Sequence, residues 1–393
     1  MSAQSVKTMR GWIKTSLGIL AVALVVAVSA LLLRQEEPML RAPLVALANE
    51  PTGYARVEGP QALVFPRDHG PHPDYQTEWW YYTGNLKTDD GRHIGYQLTF
   101  FRRAVAPPDE RQARASEWAT NQVYMAHFAL TDVAGKSYQA FERFSRGAAG
   151  LAGAVAAPFR VWLDNWSVEE VEPGVVRMQA AQQDVALDLR LADAKGPILH
   201  GDGGYSQKGP ESGNASSYYS LTRLITEGTV QAGGKAYPVR GLSWLDHEFS
   251  TSALAADQVG WDWFALQFDD GSELMVFQIR KADGSVDPFS SGTFITPDGS
   301  TRSLDRAGYR IRVEDTWRSG RTGVTYPARW TIEVPSLDLT LRIAPYLADQ
   351  ELDVSYAYWE GAVEVYGERE GRSLRGDGYV EMTGYAGSMQ GQF

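Results

Sequence analysis

Two aromatic-rich stretches carry the residues whose types and spacing could do chemistry. The first runs Phe65-Pro66-Arg67-Asp68-His69-Gly70-Pro71-His72-Pro73-Asp74 and continues into Glu78-Trp79-Trp80-Tyr81-Tyr82-Thr83-Gly84. On a strand, successive side chains alternate faces, so Trp80, Tyr82 and Gly84 share one side and Trp79, Tyr81 and Thr83 the other. One side is therefore an aromatic wall. Facing a cavity, such a wall suits a long apolar or polyene ligand, and its ring faces can stabilise a developing carbocation. Packed inward, it is ordinary barrel core. Glu78, at the strand start, is a candidate acid if buried against these rings, because desolvation raises a carboxyl pKa; otherwise it is a solvated strand-end carboxylate.

The second stretch is Gly241-Leu242-Ser243-Trp244-Leu245-Asp246-His247-Glu248-Phe249, followed by Gly260-Trp261-Asp262-Trp263-Phe264. A histidine oriented by a carboxylate serves as general acid or base. Strand alternation points Asp246 and Glu248 together, away from His247, so a carboxylate paired with His247 must come from another strand. Asp262, between two tryptophans, is the candidate. The alternative is a satisfied structural histidine in a domain seam. His127, in Ala126-His127-Phe128, can point into the first barrel, and Tyr218 and Trp244 join Trp79, Trp80, Tyr82, Trp261 and Trp263 as candidate ligand contacts.

Other chemistries lack their signatures. A zinc set drawn from Asp68, His69, His72 and Asp74 is interrupted by two prolines and a glycine, with no helix to set ligand spacing. Gly204-Tyr205-Ser206-Gln207-Lys208-Gly209 has neither phosphate-loop nor Gly-x-Ser-x-Gly spacing. No metal and no cofactor are expected. With no cysteine in 393 residues, disulfides, thiolate metal ligation and a Cys nucleophile are excluded. The 37 basic against 48 acidic residues, net charge −11, argue against nucleic acid as a partner, since a phosphate binder shows a basic stripe.

The elements that must position these residues are strands. The chain holds 12 Trp, 19 Tyr, 14 Phe and 39 Gly, with turn signals throughout and no long amphipathic helix after Leu33. Asp89-Asp90-Gly91 and Asp269-Asp270-Gly271 each separate two alternating runs, the strong short-range hairpin signal. Further hairpins are expected for 124–131 with 137–144 and for 218–229 with 235–244, and late strands at 329–334, 337–343, 362–367 and 376–383. Each Asp-Asp-Gly hairpin has a Trp before it and a Gln after it (Gln97, Gln278), which hints at a duplicated unit. Serial hairpins favour antiparallel barrels, whose closure removes exposed edges.

Residues 17–33 are apolar except for Gly18 and Ser29, with Lys7, Arg10 and Lys14 before them and Arg34 after. That charge bias predicts an N-inside signal anchor in the inner membrane, or a cleaved signal peptide, and an extracytoplasmic (periplasmic) location for the rest. The organisation expected is a signal segment over 1–35, a linker over 36–62, a first barrel over 63–248 and a second over 249–393.

The motifs Phe-Pro-Arg-Asp-His-Gly (65–70), Thr-Glu-Trp-Trp-Tyr (77–81), Asn-Ala-Ser-Ser-Tyr-Tyr-Ser (214–220), Ser-Trp-Leu-Asp-His-Glu-Phe (243–249) and Gly-Trp-Asp-Trp-Phe-Ala-Leu (260–266) occur in this order. Together they resemble the AttH-like secreted lipocalin-type proteins, which are related to carotenoid 1,2-hydratase (hydroxyneurosporene synthase). The resemblance implies an all-β protein of two consecutive lipocalin-like antiparallel barrels and a hydrophobic ligand. In the hydratase branch it implies protonation of an isoprenoid double bond followed by addition of water to the cation. It places Asp246-His247-Glu248 on the hydratases' His motif and Trp261 and Trp263 on their tryptophan-rich stretch. The chain departs from that pattern in having Glu248 and Phe249 where Asn and Trp follow the His, and no Asp within Glu273-Leu274-Met275-Val276-Phe277.

Three readings follow. The first is an enzyme that adds water to a lipid or isoprenoid, with His247 as acid or base, Asp246, Glu248 or Asp262 as its carboxylate partner, and Glu78 as a further acid. The second is a lipid carrier serving an ABC-type transporter. The third is a structural protein whose barrels are filled by their own side chains.

Overall fold

The computed structural model describes residues 52–111, 116–251 and 254–390. The apolar segment 17–33, read as a signal or anchor, lies outside them. Among the described residues helix is limited to three-residue 3-10 turns such as Arg67–His69, and no helix there is long and apolar enough to cross a membrane.

The chain forms two antiparallel sheets in succession. The first contains β1 (Thr77–Lys87), β2 (His93–Ala104), β3 (Gln122–Asp132), β4 (Ser137–Arg146), β5 (Ala152–Ala156), β6 (Phe159–Leu163), β7 (Trp166–Glu172), β8 (Val175–Gln182), β9 (Val185–Asp193), the short β10 (Ile198–Leu199) and β11 (Tyr205–Gln207), β12 (Ala215–Ala232) and β13 (Lys235–Ser250). The second contains β14 (Gln258–Phe268), β15 (Glu273–Lys281), β16 (Ser291–Ile295), β17 (Thr301–Leu304), β18 (Arg310–Arg318), β19 (Thr325–Val334), β20 (Leu339–Pro345), β21 (Glu351–Asp353), β22 (Ala357–Arg369) and β23 (Arg372–Met382). One sheet nearly closes into a barrel and the other curls into a half-barrel, the lipocalin-like pair expected from the motifs.

All four expected hairpins form: β1 with β2, β14 with β15, β3 with β4, and β12 with β13. In both Asp-Asp-Gly hairpins a three-residue loop is closed by a backbone bond, Thr88 N to Arg92 O (3.0 Å) and Phe268 N to Ser272 O (2.9 Å). Its last residue is left-handed, Gly91 at φ +85° and Gly271 at φ +84°, where a Cβ would be strained. The likeness of the two halves extends to topology. β1 lies between β2 and the last strand of its sheet, β13, with β3 and β4 following outward; β14 lies between β15 and its own last strand, β23, with β16 and β17 following.

Alternation sorts the side chains into three layers. Trp80, Tyr82, Leu98, Phe100, Phe128 and Trp166 fill the first barrel. Phe264, Leu266, Val276, Trp330, Trp359 and Val380 fill the second. Tyr81, Tyr218, Trp244, Trp263, Phe277 and Tyr379 form a third cluster between the sheets. A buried ion triad staples the two halves: Glu273 of β15 accepts from Lys195 Nζ (2.7 Å), in the loop between β9 and β10, and from Arg223 Nε (2.5 Å) of β12. Such charges are stable in a dry layer only while paired and hydrogen-bonded.

Candidate active site

β1 and β13 run side by side, with Trp80 opposite His247, Tyr81 opposite Asp246 and Trp79 opposite Glu248. Directly opposite residues face the same way, so this register splits the candidates between two sites. Glu78, Trp80 and His247 turn into the first barrel. Trp79, Tyr81, Asp246 and Glu248 turn toward the second sheet.

Inside the barrel, Glu78 is wholly buried and held from three sides. Its carboxylate accepts from Arg102 Nε (2.7 Å), from the backbone N–H of His72 (3.0 and 3.1 Å) and from the rings of His72 (Nδ1, 2.8 Å) and His247 (Nε2, 2.9 Å). Burial alone raises its pKa, but the Arg102 guanidinium and the two histidines override it and hold the carboxyl well below its usual range. His247 is pushed the other way, down to about 4, by burial that Glu78 only partly offsets. A neutral His247 donates from Nε2 to Glu78 and accepts at Nδ1 from the Tyr219 hydroxyl (3.0 Å), which also meets His69 Nδ1 (2.8 Å). The indole of Trp80 stacks on His247 at 4.9 Å and bonds the His69 carbonyl. His72, Glu78 and His247 are the group among the described residues that comes near a metal-ligand set, their donor atoms lying within 4.8 Å of one another. Arg102 already supplies the charge that balances Glu78, and a metal ion there would be repelled by it.

Between the sheets lies a cavity of about 140 Å³. Its walls are Trp79, Tyr81 and Tyr218 from the first sheet and Trp261, Trp263 and Phe277 from the second, with Asp246, Glu248, Glu381 and Lys208 as the charged groups. Asp246 accepts from Tyr218 Oη (2.6 Å), Trp244 Nε1 (2.6 Å) and the Ser220 hydroxyl, and Trp263 Nε1 in turn bonds the Tyr218 oxygen (3.1 Å). Burial pushes Asp246 up to about 7 against these three hydrogen bonds, and the charge of Glu248 adds to the rise. Glu381, on β23, accepts from Trp261 Nε1 (2.7 Å). It too is pushed up to about 7, by burial first and then by the charges of Asp246 and Glu248. Glu248 is fixed by the Ser216 hydroxyl and by Lys208 Nζ at 3.1 Å, whose ammonium lies over the Phe277 ring at 4.2 Å. Two carboxyls from different sheets thus face an aromatic cavity, each poised to give or take a proton near neutrality.

Several expectations are corrected. Asp262 does not reach His247: alternation turns it away from Trp261 and Trp263, onto Arg280 (3.1 Å) and Tyr385 (3.3 Å), and Glu78 is the carboxylate that His247 meets. Trp80 and Tyr82 do not line the cavity but pack the first barrel, at 0% and 1% exposure. His127 points out of that barrel, bonding Tyr358 (2.8 Å) and Glu142 (3.0 Å). Glu78 is not a solvated strand-end group but a closed ion-pair centre. Trp244 stands behind the wall, bonded to Asp246. Both barrels are filled, yet the space for a ligand exists in the seam between them. The sequence reading missed Glu381, Tyr81 and Lys208. Glu381 carried a signal, the one charged residue in the run Gly378-Tyr379-Val380-Glu381-Met382 that ends its strand.

Comparison with known proteins agrees with this architecture. A crystal structure of a Nitrosomonas europaea protein described as an AttH is 36% identical, with a TM-score of 0.75 over 84% of this chain and 99% of that one. Kievitone hydratase from Nectria haematococca shares the fold at 15% identity, with a TM-score of 0.63 over 86% of this chain and 97% of that one. The dehydratase asqC of Emericella nidulans is 25% identical over 223 residues, 53% of this chain; the match spans 61% of that relative's length. The AttH-like family model matches residues 56–385, nearly the whole described chain, and so the protein belongs to the AttH-like family.

Proposed function

We propose that the protein adds water to a carbon–carbon double bond, or removes it in reverse, with an apolar isoprenoid or other lipid fragment as substrate. The observation that carries this reading is the placing of Asp246 and Glu381 on opposite walls of one aromatic cavity. Glu381 is the acid, because burial and two neighbouring negative charges favour its protonated form and only the single hydrogen bond from Trp261 opposes them. Asp246 is the base, because three donors are aimed at its carboxylate. Glu381 gives its proton to one alkene carbon as the π bond breaks. The faces of Trp79, Tyr81, Trp261 and Trp263 stabilise the cation left on the neighbouring carbon. Water adds there and loses a proton to Asp246. His247 touches none of these atoms; it acts through Glu78 and Tyr219 to hold β13, and with it Asp246, in register.

The family match and the printed activities of kievitone hydratase and the dehydratase asqC support water chemistry. The presence of Asp246, Glu248 and Glu381 among the aromatic walls supports an enzyme over a carrier, which needs only apolar lining. The residues 17–33 support work outside the cytoplasm, where the lipid of a membrane is at hand.

The test starts with native mass spectrometry and lipid extraction of the chain from Asn49 onward, to name the bound class. Incorporation of heavy oxygen from labelled water into that ligand follows. Glu381→Gln and Asp246→Asn should each lower turnover about 10²- to 10⁴-fold, with Trp263→Ala weakening binding. Turnover that survives both carboxyl substitutions would sink the assignment.

A further inference from the structure

Asp246, Glu248 and Glu381 give the cavity three carboxyls, and Lys208 is the one cationic side chain on its walls among the described residues. Lys208 shows how these walls hold a positive charge. Its ammonium pairs with Glu248 at 3.1 Å and stands over the rings of Phe277 (4.2 Å) and Tyr218 (5.2 Å), so that one carboxylate and two ring faces surround one cation. The negative face of an aromatic ring attracts an ammonium, and more strongly where water is scarce. The other two carboxyls have no such partner. Asp246 accepts from Tyr218, Trp244 and Ser220, and Glu381 accepts from Trp261, all of them neutral donors; no cation pairs with either acid among the described residues. Trp79, Tyr81, Trp261 and Trp263 line the same space. A further acid lies beside it: Glu360, directly opposite Glu381 on β22, is fully buried, accepts from the Tyr81 hydroxyl, and also has no cation partner among the described residues.

Acids without cations and ring faces without occupants are complementary to an organic cation. A neutral hydrocarbon uses the rings and leaves the acids idle. A small metal cation uses the acids but gives up a tight hydration shell to do so. An anion is repelled by the acids. An alkylated ammonium, bulky and weakly hydrated, uses both kinds of wall. We propose that the cavity binds the head of an organic ammonium that carries no anionic group, with its alkyl groups against Trp79, Tyr81, Trp261 and Trp263 and its charge facing Asp246 and Glu381. The charges balance. Lys208 neutralises Glu248, one of the two remaining acids ionises to match the ligand, and the other keeps its proton, as burial and the neighbouring charges favour. The proposal goes beyond the hydration reading and does not rest on it. Such a ligand would sit where hydration forms its cation and would compete with the olefin.

Calorimetric titration of the full chain with three probes tests it. The probes are choline, the neutral alcohol with a tert-butyl group where choline has trimethylammonium, and phosphocholine. Choline and the alcohol share one shape and differ in charge, so choline should bind about tenfold more tightly or better. Phosphocholine, which adds an anion, should bind more weakly than choline; this arm separates a free ammonium from a phospholipid headgroup. The choline preference should be lost when Asp246→Asn and Glu381→Gln are combined. Lys208→Met leaves Glu248 without its resident cation and should raise choline affinity. Choline that does not bind or binds no better than the alcohol, phosphocholine that binds as tightly as choline, a preference that survives the double substitution, or a Lys208→Met affinity that fails to rise overturns the proposal. If the double variant does not fold, the three probes on wild type and on Lys208→Met still decide. No olefin is present in the measurement: a protein that hydrates nothing can still bind choline, and one that ignores choline can still hydrate, so the two failures are told apart.

Discussion

Replacing Glu381 with Gln should make the protein more stable at alkaline pH and leave it nearly unchanged at acid pH. The folded-state pKa of Glu381 is raised from 4.5 to about 7, with burial the first cause. Below about pH 4.5 the folded and the unfolded chain both hold the proton, and a Gln in its place costs little, since its amide oxygen can accept from Trp261 Nε1 as the acid does. Between that point and 7 the folded chain keeps a proton that the unfolded chain has released, so each rise in pH favours unfolding. Above 7 the full penalty of a buried carboxylate is present. A shift of this size corresponds to about 3 kcal/mol, and the uncharged amide escapes it. Urea unfolding of wild type and Glu381→Gln at a series of pH values reads the difference directly, because the remaining titrations are common to both proteins and largely cancel. The expected curve starts near zero at acid pH and climbs to about 3 kcal/mol by pH 8. A difference that is flat across the range, or one in which the Gln variant is the less stable at pH 8, would refute the claim that the cavity holds a carboxyl against its own ionisation. A stabilised variant that is also inactive would mark Glu381 as a residue kept for chemistry at the expense of the fold.

Other substitutions separate the two polar sites. Glu78→Gln leaves the guanidinium of Arg102, at 1% side-chain exposure, without its charge partner, and should cost about 3–5 kcal/mol in urea unfolding at neutral pH. His247→Ala removes one of the neutral donors to Glu78 while the ion pair stays, so it should cost less, about 1–3 kcal/mol; in steady-state kinetics it should lower kcat far less than Glu381→Gln does. Trp79→Ala removes a half-buried wall of the cavity; calorimetric titration with the extracted ligand should show affinity reduced about tenfold or more. Gly271→Ala forces a Cβ onto a φ of +84° and should lower stability by about 1 kcal/mol, measured as a displaced urea midpoint.

What the sequence disclosed depended on whether the signal was local. The Asp-Asp-Gly turns could be read because three residues dictate them: Gly91 and Gly271 must be left-handed, and the flanking alternation sets the register. That Asp246 and Glu248 turn away from His247 was equally legible, since period two is a property of one strand. The partner of His247 was not. Glu78 lies 169 residues away and meets it only because the last strand of the sheet returns to pair with the first. Asp262 was nearer in sequence and wrong in face. Burial misled in the same way, for Glu78 sits where a strand-end carboxylate normally meets water and is sealed by Arg102, a residue of β2 that carries no mark of its role. Glu381 stands out between Tyr379, Val380 and Met382, yet nothing local places it across from Asp246.

The location of the cavity follows from the like strand order of the two halves. Each half builds the same arrangement, a first strand flanked by its hairpin partner and by the last strand of its own sheet, and each fills its interior with its own Trp, Phe and Leu side chains. A small barrel filled in this way has no room for a ligand. What remains is the outer face of those strands, and there the first half carries Trp79, Tyr81, Asp246 and Glu248 and the second Trp261, Trp263 and Glu381. Neither face is a site alone. Exposed, each would be an aromatic patch with acids that ionise in water at their ordinary pKa. Pressed together and stapled through Glu273 by Lys195 and Arg223, the two faces bury the acids between them, and that burial is the first cause lifting Asp246 and Glu381 to about 7. The proton-transfer capacity of the cavity is thus a property of the seam, and a substitution that loosens the staple should disturb both carboxyls without touching either.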